Sequence, residues 1–598
     1  MSRSPGKHCG RSGGGGAGIC RRALKGLAAC ALAAMAMAGC MTPDRAVRET
    51  DRIASELATP VVNDITGMTN VFTIARPADR LRARLMIAQG LPGTRPGAET
   101  GAETDAEAGA DRDPAPVKLT LRDALEIGAQ NDATYQKLKE SIFAAALKLD
   151  LQRHVFETTF AGVLGGDIER KTGDDGDSTT ASGSAKPSIS RKFANGASAT
   201  AALGLDIARL LTGDKSGSLG LGGDASFSIP LLRGSGRAVN MENLTQAQRD
   251  LVYAVHEFEA HRQGYAVSIA SAYYAILEAL RQLESLKDNE KRLSDNFERA
   301  QMLADSGRMK RIEVDQARQD LLATGNSLVS ARRNLEAKYD GFKATLGLPA
   351  DALIEADMDE LVNLQIDMGL GAEGTNLVDS AAQMPPLPWS DDEALSLALA
   401  GRHDLFIARG RLDDAMRAIP IAADSLRPEL TLAGTLGYRR SRKLHSTHAE
   451  GESSTSGGWT YSAGFDLDLP WERTGERNDY RAALIAADSA MRAVEDAEDS
   501  TKSTIRDDLR KLRSAWASFV IQSEAVRVAM RRVRSTDLFN QAGRAEIRDV
   551  LEAEDALLKS RNALVGAMID YRIAGLELRR DMAELDITAE GLWNEIGQ

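Results

Sequence analysis

Two histidines flank a short acidic run in His256-Glu257-Phe258-Glu259-Ala260-His261, the closest approach in this sequence to a zinc-binding helix. A metalloprotease helix carries its imidazoles four residues apart, on one face. Here the separation is five, so the spacing predicts solvated helix positions rather than a metal pair. His445 and His448 fall in a segment rich in Ser, His and Gly, His403 is distant in sequence, and nothing joins the three into a ligand set. All four cysteines, Cys9, Cys20, Cys30 and Cys40, lie in the first forty residues, which leaves the body without a thiol nucleophile or a disulfide. There is no phosphate-binding Walker loop and no G-x-S-x-G elbow. The expectation is a protein that is not an enzyme and uses no cofactor or metal. Two charged groups remain. Asp549 and Glu552 are three residues apart, so on a helix they share a face. The run Arg531-Arg532-Val533-Arg534 fits a solvent-facing stripe.

The leader has its own chemistry. The first 39 residues carry six basic and no acidic residues, followed by a small, apolar run from Leu24 to Gly39, the pattern of a bacterial export signal. Its removal takes the net charge from −12 to about −18, which argues against a nucleic-acid partner. Met37-Ala38-Gly39-Cys40 is similar to the lipobox of bacterial lipoproteins, which makes Cys40 the expected lipidation site; Leu27-Ala28-Ala29-Cys30 has too little apolar sequence before it. Met41 after the cysteine implies sorting to the outer membrane. No run of eighteen apolar residues follows Cys40, so no spanning helix is predicted.

The elements that position the remaining residues are strands feeding rods. From Trp459 to Leu469 every odd residue is apolar while the even ones are Thr, Ser, Gly, Asp and Asp, the period-2 signature of a strand with one greasy and one wet face. Pro470 ends it. From Arg477 to about Asn540 there is no proline or glycine, and Leu484, Met491, Ile505, Leu512, Phe519, Val526 and Val533 fall on multiples of seven, interrupted only at Glu498. A rod of this length, at ~1.5 Å per residue, extends roughly 100 Å before reversing at Ala542-Gly543-Arg544. The same construction occurs earlier. Leu219, Leu221, Ala225, Phe227 and Ile229 alternate before Pro230, and Ile229-Pro230-Leu231-Leu232-Arg233 aligns with Leu469-Pro470-Trp471-Glu472-Arg473. Leu244, Leu251, Phe258, Tyr265, Ala272, Ala279, Leu286, Leu293 and Ala300 then keep a heptad to a reversal at Ser306-Gly307-Arg308. Two matched constructions predict two structural repeats.

In chain order, the expectation is a signal peptide at 1–39 and a weakly organised N-terminal segment at 40–117, with a helical patch near Ala75 to Ile87 and a disordered acidic tether around residues 97–107. Repeat 1 spans 118–350. It has a helix capped by Thr120 and running to about His154, strands within 155–230, a long helix 237–304 and a return helix 312–346. In it Arg170 to Ser184 is expected as a polar loop and Ile189 to Ile207 as an extra hairpin turning at Ala194-Asn195-Gly196. A linker covers 351–390. Repeat 2 spans 391–586, with a helix to Asp424, strands 430–469, a long helix 477–540 and a return helix 547–585; a tail of 587–598 follows.

Four places carry a resemblance to a known family: Leu119-Thr120-Leu121-Arg122-Asp123-Ala124-Leu125, Arg402-His403-Asp404-Leu405, the paired Pro-x-x-Arg junctions, and Ala542-Gly543-Arg544 through Asp549-Val550-Leu551-Glu552-Ala553. Together, over roughly residues 118 to 586, the chain resembles the TolC-like outer-membrane efflux channels. The resemblance implies a mixed α and β membrane protein. It would be a homotrimer whose transmembrane β-barrel, with about four strands per chain, continues as a long α-helical coiled-coil barrel across the periplasm. Physics agrees, since four strands alone leave an open edge in lipid. The extra hairpin is placed in an enlarged extracellular or rim region. The resemblance further implies a periplasmic gate in which Asp549 and Glu552 ring the aperture. Asn540 and Ala545 replace residues that latch it in many relatives, which leaves Phe539 or Arg544 to hold it. The reversals Ser306-Gly307-Arg308 and Ala542-Gly543-Arg544 lie farthest from the barrel and are the expected docking tips for a periplasmic adaptor.

The expected function is therefore an outer-membrane exit duct of a tripartite efflux system for small molecules, served by an adaptor and an inner-membrane pump. The alternatives are the exit duct of a type I protein secretion system and, from another class, a soluble periplasmic coiled-coil scaffold whose strands would pack as a β-sandwich. Tyr438, Trp459 and Tyr461 at strand ends favour the membrane, where aromatics form interfacial girdles.

Overall fold

The computed structural model describes residues 41–67, 71–74, 116–172, 178–210, 217–368, 387–444, 455–542, 544–585 and 587. Cys40, the patch near residues 75–87, the acidic tract, His445, His448 and Gly543 lie outside these. In chain order the elements are α1 (Pro43–Thr66), β1 (Val117–Leu119), α2 (Leu121–Asn131), α3 (Ala133–His154), β2 (Thr158–Lys171), β3 (Ser178–Lys192), β4 (Ser198–Leu210), β5 (Gly217–Pro230), the short α4 (Arg237–Asn240), α5 (Glu242–Asp305) and α6 (Arg311–Thr345). Then follow β6 (Ile354–Ala356), α7 (Asp359–Asp367), α8 (Asp391–Gly401), α9 (His403–Ser425), β7 (Glu429–Leu444), β8 (Thr455–Asp468), α10 (Thr474–Gln541) and α11 (Ile547–Asp581).

The two rods, α5 and α10, have 64 and 68 residues, and each folds back on a 35-residue return helix, α6 or α11. Ile505, Leu512, Phe519 and Val526, four of the heptad positions, are buried. Leu484 is half-buried and Met491 exposed. The first rod is buried almost all round at Ala266 to Leu277, where Tyr273 and Tyr274 meet α2, the β1–β6 pair and α7. Part of the expected linker is thus folded structure: β6 pairs parallel with β1, and Tyr273 Oη donates to Leu119 O at 3.1 Å.

Both helical entries begin with a capping box, Thr120 with Asp123 and Ser390 with Glu393, which satisfies the first free N–H groups. Neither entry is one helix as expected. The chain leaves helical geometry at Asp132 (ψ 130°) and Arg402 (ψ 123°), and Asp132 caps the second piece by accepting from Tyr135 N. The N-terminal segment is also better organised than expected. α1 buries Ala54, Ala58 and Val62, with Phe72, against Tyr135, Ile142, Ala146, Leu251 and Phe258. Arg262, buried and paired with Glu259 at 2.9 Å, donates to Thr66 O at the end of α1. Pro60 inside α1 masked a helical spacing that the apolar residues carry.

The strand count differs most. β2-β3-β4-β5-β7-β8 form one continuous antiparallel sheet, so the chain contributes six strands rather than about four. Residues 178–184, expected within a polar loop, belong to β3. The misreading has a physical source: β3 alternates Ser and Thr with Gly and Ala, so its less polar face is too small to register as hydrophobic periodicity.

Candidate functional site

The sheet sorts its residues by face, row by row. Phe160, Ile189, Ala201, Ala225, Leu436 and Tyr461 pair in succession across all six strands. The adjacent row, Thr159, Ser190, Thr200, Ser226, Thr435 and Ser462, points to the opposite face because side chains alternate along a strand. Its hydroxyls bond across strands, Thr159 to Ser190 at 2.7 Å and Thr435 to Ser462 at 2.6 Å. The apolar face is uncovered: Phe160 is 79 % exposed, Tyr461 83 % and Phe465 71 %. Tyr438 and Trp459, opposite one another in the register, bring their rings together on the same face, with centroids 4.8 Å apart and planes tilted by 48°. A sheet with one bare apolar face and one hydroxyl-lined face suits lipid on one side and water on the other. It does not suit the β-sandwich of a soluble scaffold, because the sheet has no second sheet among the described residues to cover it.

The strand-to-rod junctions are held by hydrogen bonds to and from the backbone. Leu231 N donates to Leu430 O at 2.7 Å, Gly234 N to the Asp424 carboxylate at 2.7 Å, and the Arg473 guanidinium to Pro470 O and Leu426 O. Below them α5 and α9 are tied by polar groups. Arg249 and Arg417 both donate to Asp414 Oδ1, at 3.0 and 2.9 Å, and Tyr253 Oη donates to Oδ2 at 2.8 Å.

At the far ends the rods reverse by the same pair of bonds. Arg308 N donates to Leu303 O and Ser306 N to Met302 O; Arg544 N donates to Phe539 O and Ala542 N to Leu538 O. Gly307 takes a left-handed φ of 74°, the conformation that closes a Schellman turn. Ser306, Arg308, Ala542 and Arg544 are all exposed.

The acidic pair lies in the first turns of α11. Asp549 Oδ2 accepts from Glu546 N at 3.2 Å, completing the helix cap, while Glu552 lies 3.7 Å from both Arg532 and Arg548. Glu552 borders a groove of about 520 Å³ among α5, α6 and α11, lined also by Asn289, Gln319, Asp320 and Asp555. Burial, and then the charge of Asp555, push the Asp320 carboxyl above its ordinary value. On the other side of α11, Arg531 and Arg534 line a cavity of about 710 Å³ with Arg292, Arg299 and Arg527.

The histidines are not solvated as expected. His256 packs on Phe406 with ring centroids 4.1 Å apart and meets His403 across the α5–α9 contact. His261 stacks on Tyr265 and lies 3.7 Å from Asp132. The structure keeps His256 and His261 in separate contacts, and the His256–His403 meeting was invisible in a sequence that separates them by 147 positions.

Uncovered apolar sheet, wet inner face and paired long helical hairpins define a class of outer-membrane channel proteins. The profile of the family Outer membrane efflux protein matches residues 185–348 and 394–583, more than half of the chain, and the chain belongs to that family. It is 22% identical over 344 residues to the outer membrane protein TolC of Vibrio cholerae serotype O1, covering 57% of this chain and 73% of that protein. Among solved structures it is similar to VceC of Vibrio cholerae (TM-score 0.52, 16% identity, 77% of this chain and 95% of that one). It is also similar to the CmeC outer membrane channel of Campylobacter jejuni (TM-score 0.53, 14% identity, 85% and 96%) and to CusC (0.53, 12%, 77% and 91%). Membership places the chain in the outer membrane.

Proposed function

We propose that this protein is the passive exit duct of a tripartite efflux system, carrying small molecules across the periplasm and the outer membrane with no catalytic chemistry of its own. The observation that carries this reading is the pair of adjacent rows, one apolar and uncovered, one made only of serine and threonine, at the end of helical hairpins some 100 Å long by their residue count. Three copies close the sheet and bundle the rods. The Cys40 thiol carries a lipid that adds to the barrel's own anchorage. A periplasmic adaptor meets Ser306-Gly307-Arg308 and Ala542-Gly543-Arg544, and an inner-membrane pump supplies the energy. Asp549 and Glu552 ring the periplasmic aperture, with Arg532 and Arg548 as the partners that hold Glu552 in place.

The test is retention of fluorescent dyes, drugs and metal salts in cells lacking the gene. Wild-type complementation should restore export, whereas Arg308→Glu with Arg544→Glu should assemble normally and fail to export. Unchanged export in the deletion strain with loss of a secreted protein would instead identify a type I secretion duct.

A further inference from the structure

We infer that the assembled barrel has eighteen strands and a lumen wider than twelve strands would enclose, and that it therefore admits bulky cargo without sieving it. The inference rests on the duct reading for its trimer, and on the six-stranded sheet for its width.

The β3–β4 hairpin is part of the wall. β3 pairs with β2 along its whole length and β4 with β5, so the hairpin continues the sheet instead of crowning it. Its faces stay in phase, with Ile189 and Ala201 in the apolar row and Ser190 and Thr200 in the hydroxyl row. Its inner turn is seated on the strand-to-rod junction: Gly236 N donates to Asn195 O at 3.2 Å. Gly196 has φ +92°, and a Cβ there would meet Asn240 Nδ2 at 2.6 Å and Gly234 O at 2.7 Å, so glycine lets the turn sit this close.

The open edges call for another copy of the same chain. β2 and β8 have 14 residues each, and with an even number of strands they run antiparallel when one copy follows the next. Phe160, Leu164 and Ile168 on one edge, and Trp459, Tyr461 and Phe465 on the other, continue the apolar face to the seam. Unpaired edges of this length are intolerable in lipid. With strands ~4.8 Å apart and tilted ~40°, eighteen strands give a backbone radius of roughly 18 Å and twelve give about 12 Å. Most lumen-facing residues along the added hairpin, Ser182, Ser184, Ser188, Ser190, Thr200 and Ala202 among them, are small and leave that space open, with Lys186 and Asp206 the larger, charged side chains on the same face.

The test uses full-length protein in the outer membrane of intact cells, with graded maleimide-polyethylene glycols as probes. Ser462→Cys faces the lumen and reports the largest polymer that enters from outside, independently of any periplasmic gate. The same cysteine goes into a variant lacking residues 178–216, in which β2 and β5 join with Phe160 and Ala225 still in one row. The wild-type background should admit polymers of at least twice the mass that the shortened one admits; equal cut-offs overturn the inference. Should the shortened variant fail to assemble, single cysteines in the full chain decide. Ser190→Cys and Thr200→Cys should label with a water-soluble maleimide and Ile189→Cys and Ala201→Cys should not, while labelling of all four puts the hairpin outside the wall. Native mass spectrometry of the extracted protein should give three copies, and two copies overturn eighteen strands. Unchanged drug export in cells lacking the gene, with these results intact, would contradict the efflux reading and leave the barrel standing.

Discussion

His256 on the first rod and His403 at the start of α9 face each other with their Nδ1 atoms 2.9 Å apart. One ring must donate and the other accept, so the contact requires at least one neutral imidazole. Burial, and then the charge of His403, push His256 down from 6.5 to about 4. A depressed folded value means that the contribution to stability is complete above pH 6.5 and is lost as the pH falls toward 4. Thermal melts of detergent-extracted protein, followed by circular dichroism at pH 7.5 and 4.5, should show an acid-induced fall in Tm that His256→Gln reduces. An equal fall in both proteins would place the acid sensitivity elsewhere.

Asp508 on α10 has the opposite sign. It is buried beside Asp581, with Lys511 at 3.4 Å, and burial followed by the Asp581 hydrogen bond raises it from 3.8 to about 6. Its contribution to stability is therefore present below pH 3.8 and lost as the pH rises through 6. Asp508→Asn should raise Tm at pH 7.5 and leave it nearly unchanged at pH 4. A drop at pH 7.5 would show that the charged carboxylate is needed there, with Lys511 as its partner.

Long, strongly periodic segments were the legible part. Ile505 to Val526 announced the second rod through seven-residue spacing, and Trp459 to Leu469 announced β8 through alternation, because each element keeps its apolar residues on one side. What stayed hidden was weakly patterned. α1 carries Pro60, the outer half of β3 is made of Ser, Thr, Gly and Ala, the break at Asp132 depends on a side-chain cap that no hydrophobic period records, and the break at Arg402 lies inside a helical apolar pattern. Contacts across the fold, such as Asp414 with Arg249 and Arg417, require knowing which helices are neighbours. Asp549 and Glu552 were singled out by the family resemblance, their spacing showing only that they share a face, and the cap bond of one and the arginine partners of the other emerge only in three dimensions.

The lipid face makes its own prediction. Phe465 pairs with Leu432 on the apolar face and Gly464 with Ala433 on the wet one. Phe465→Arg should cost ~2–4 kcal/mol of barrel stability near mid-membrane, whereas Gly464→Arg should cost far less. Urea titration of protein in lipid vesicles, read by tryptophan fluorescence, separates the two; equal losses would mean that the faces have been assigned wrongly.

The central claim is a water-filled duct through the outer membrane, closed by acid at its periplasmic end. Crowded carboxylates attract multivalent cations and favour cation passage. Purified protein in a planar bilayer should form cation-preferring channels that a trivalent cation blocks when added on the periplasmic side. The variant with Asp549→Ala and Glu552→Ala should conduct in its presence, after a melt has shown that loss of the Asp549 cap leaves α11 folded. Silent bilayers from correctly assembled wild-type protein would contradict the duct itself, and equal block of both proteins would contradict the acidic gate.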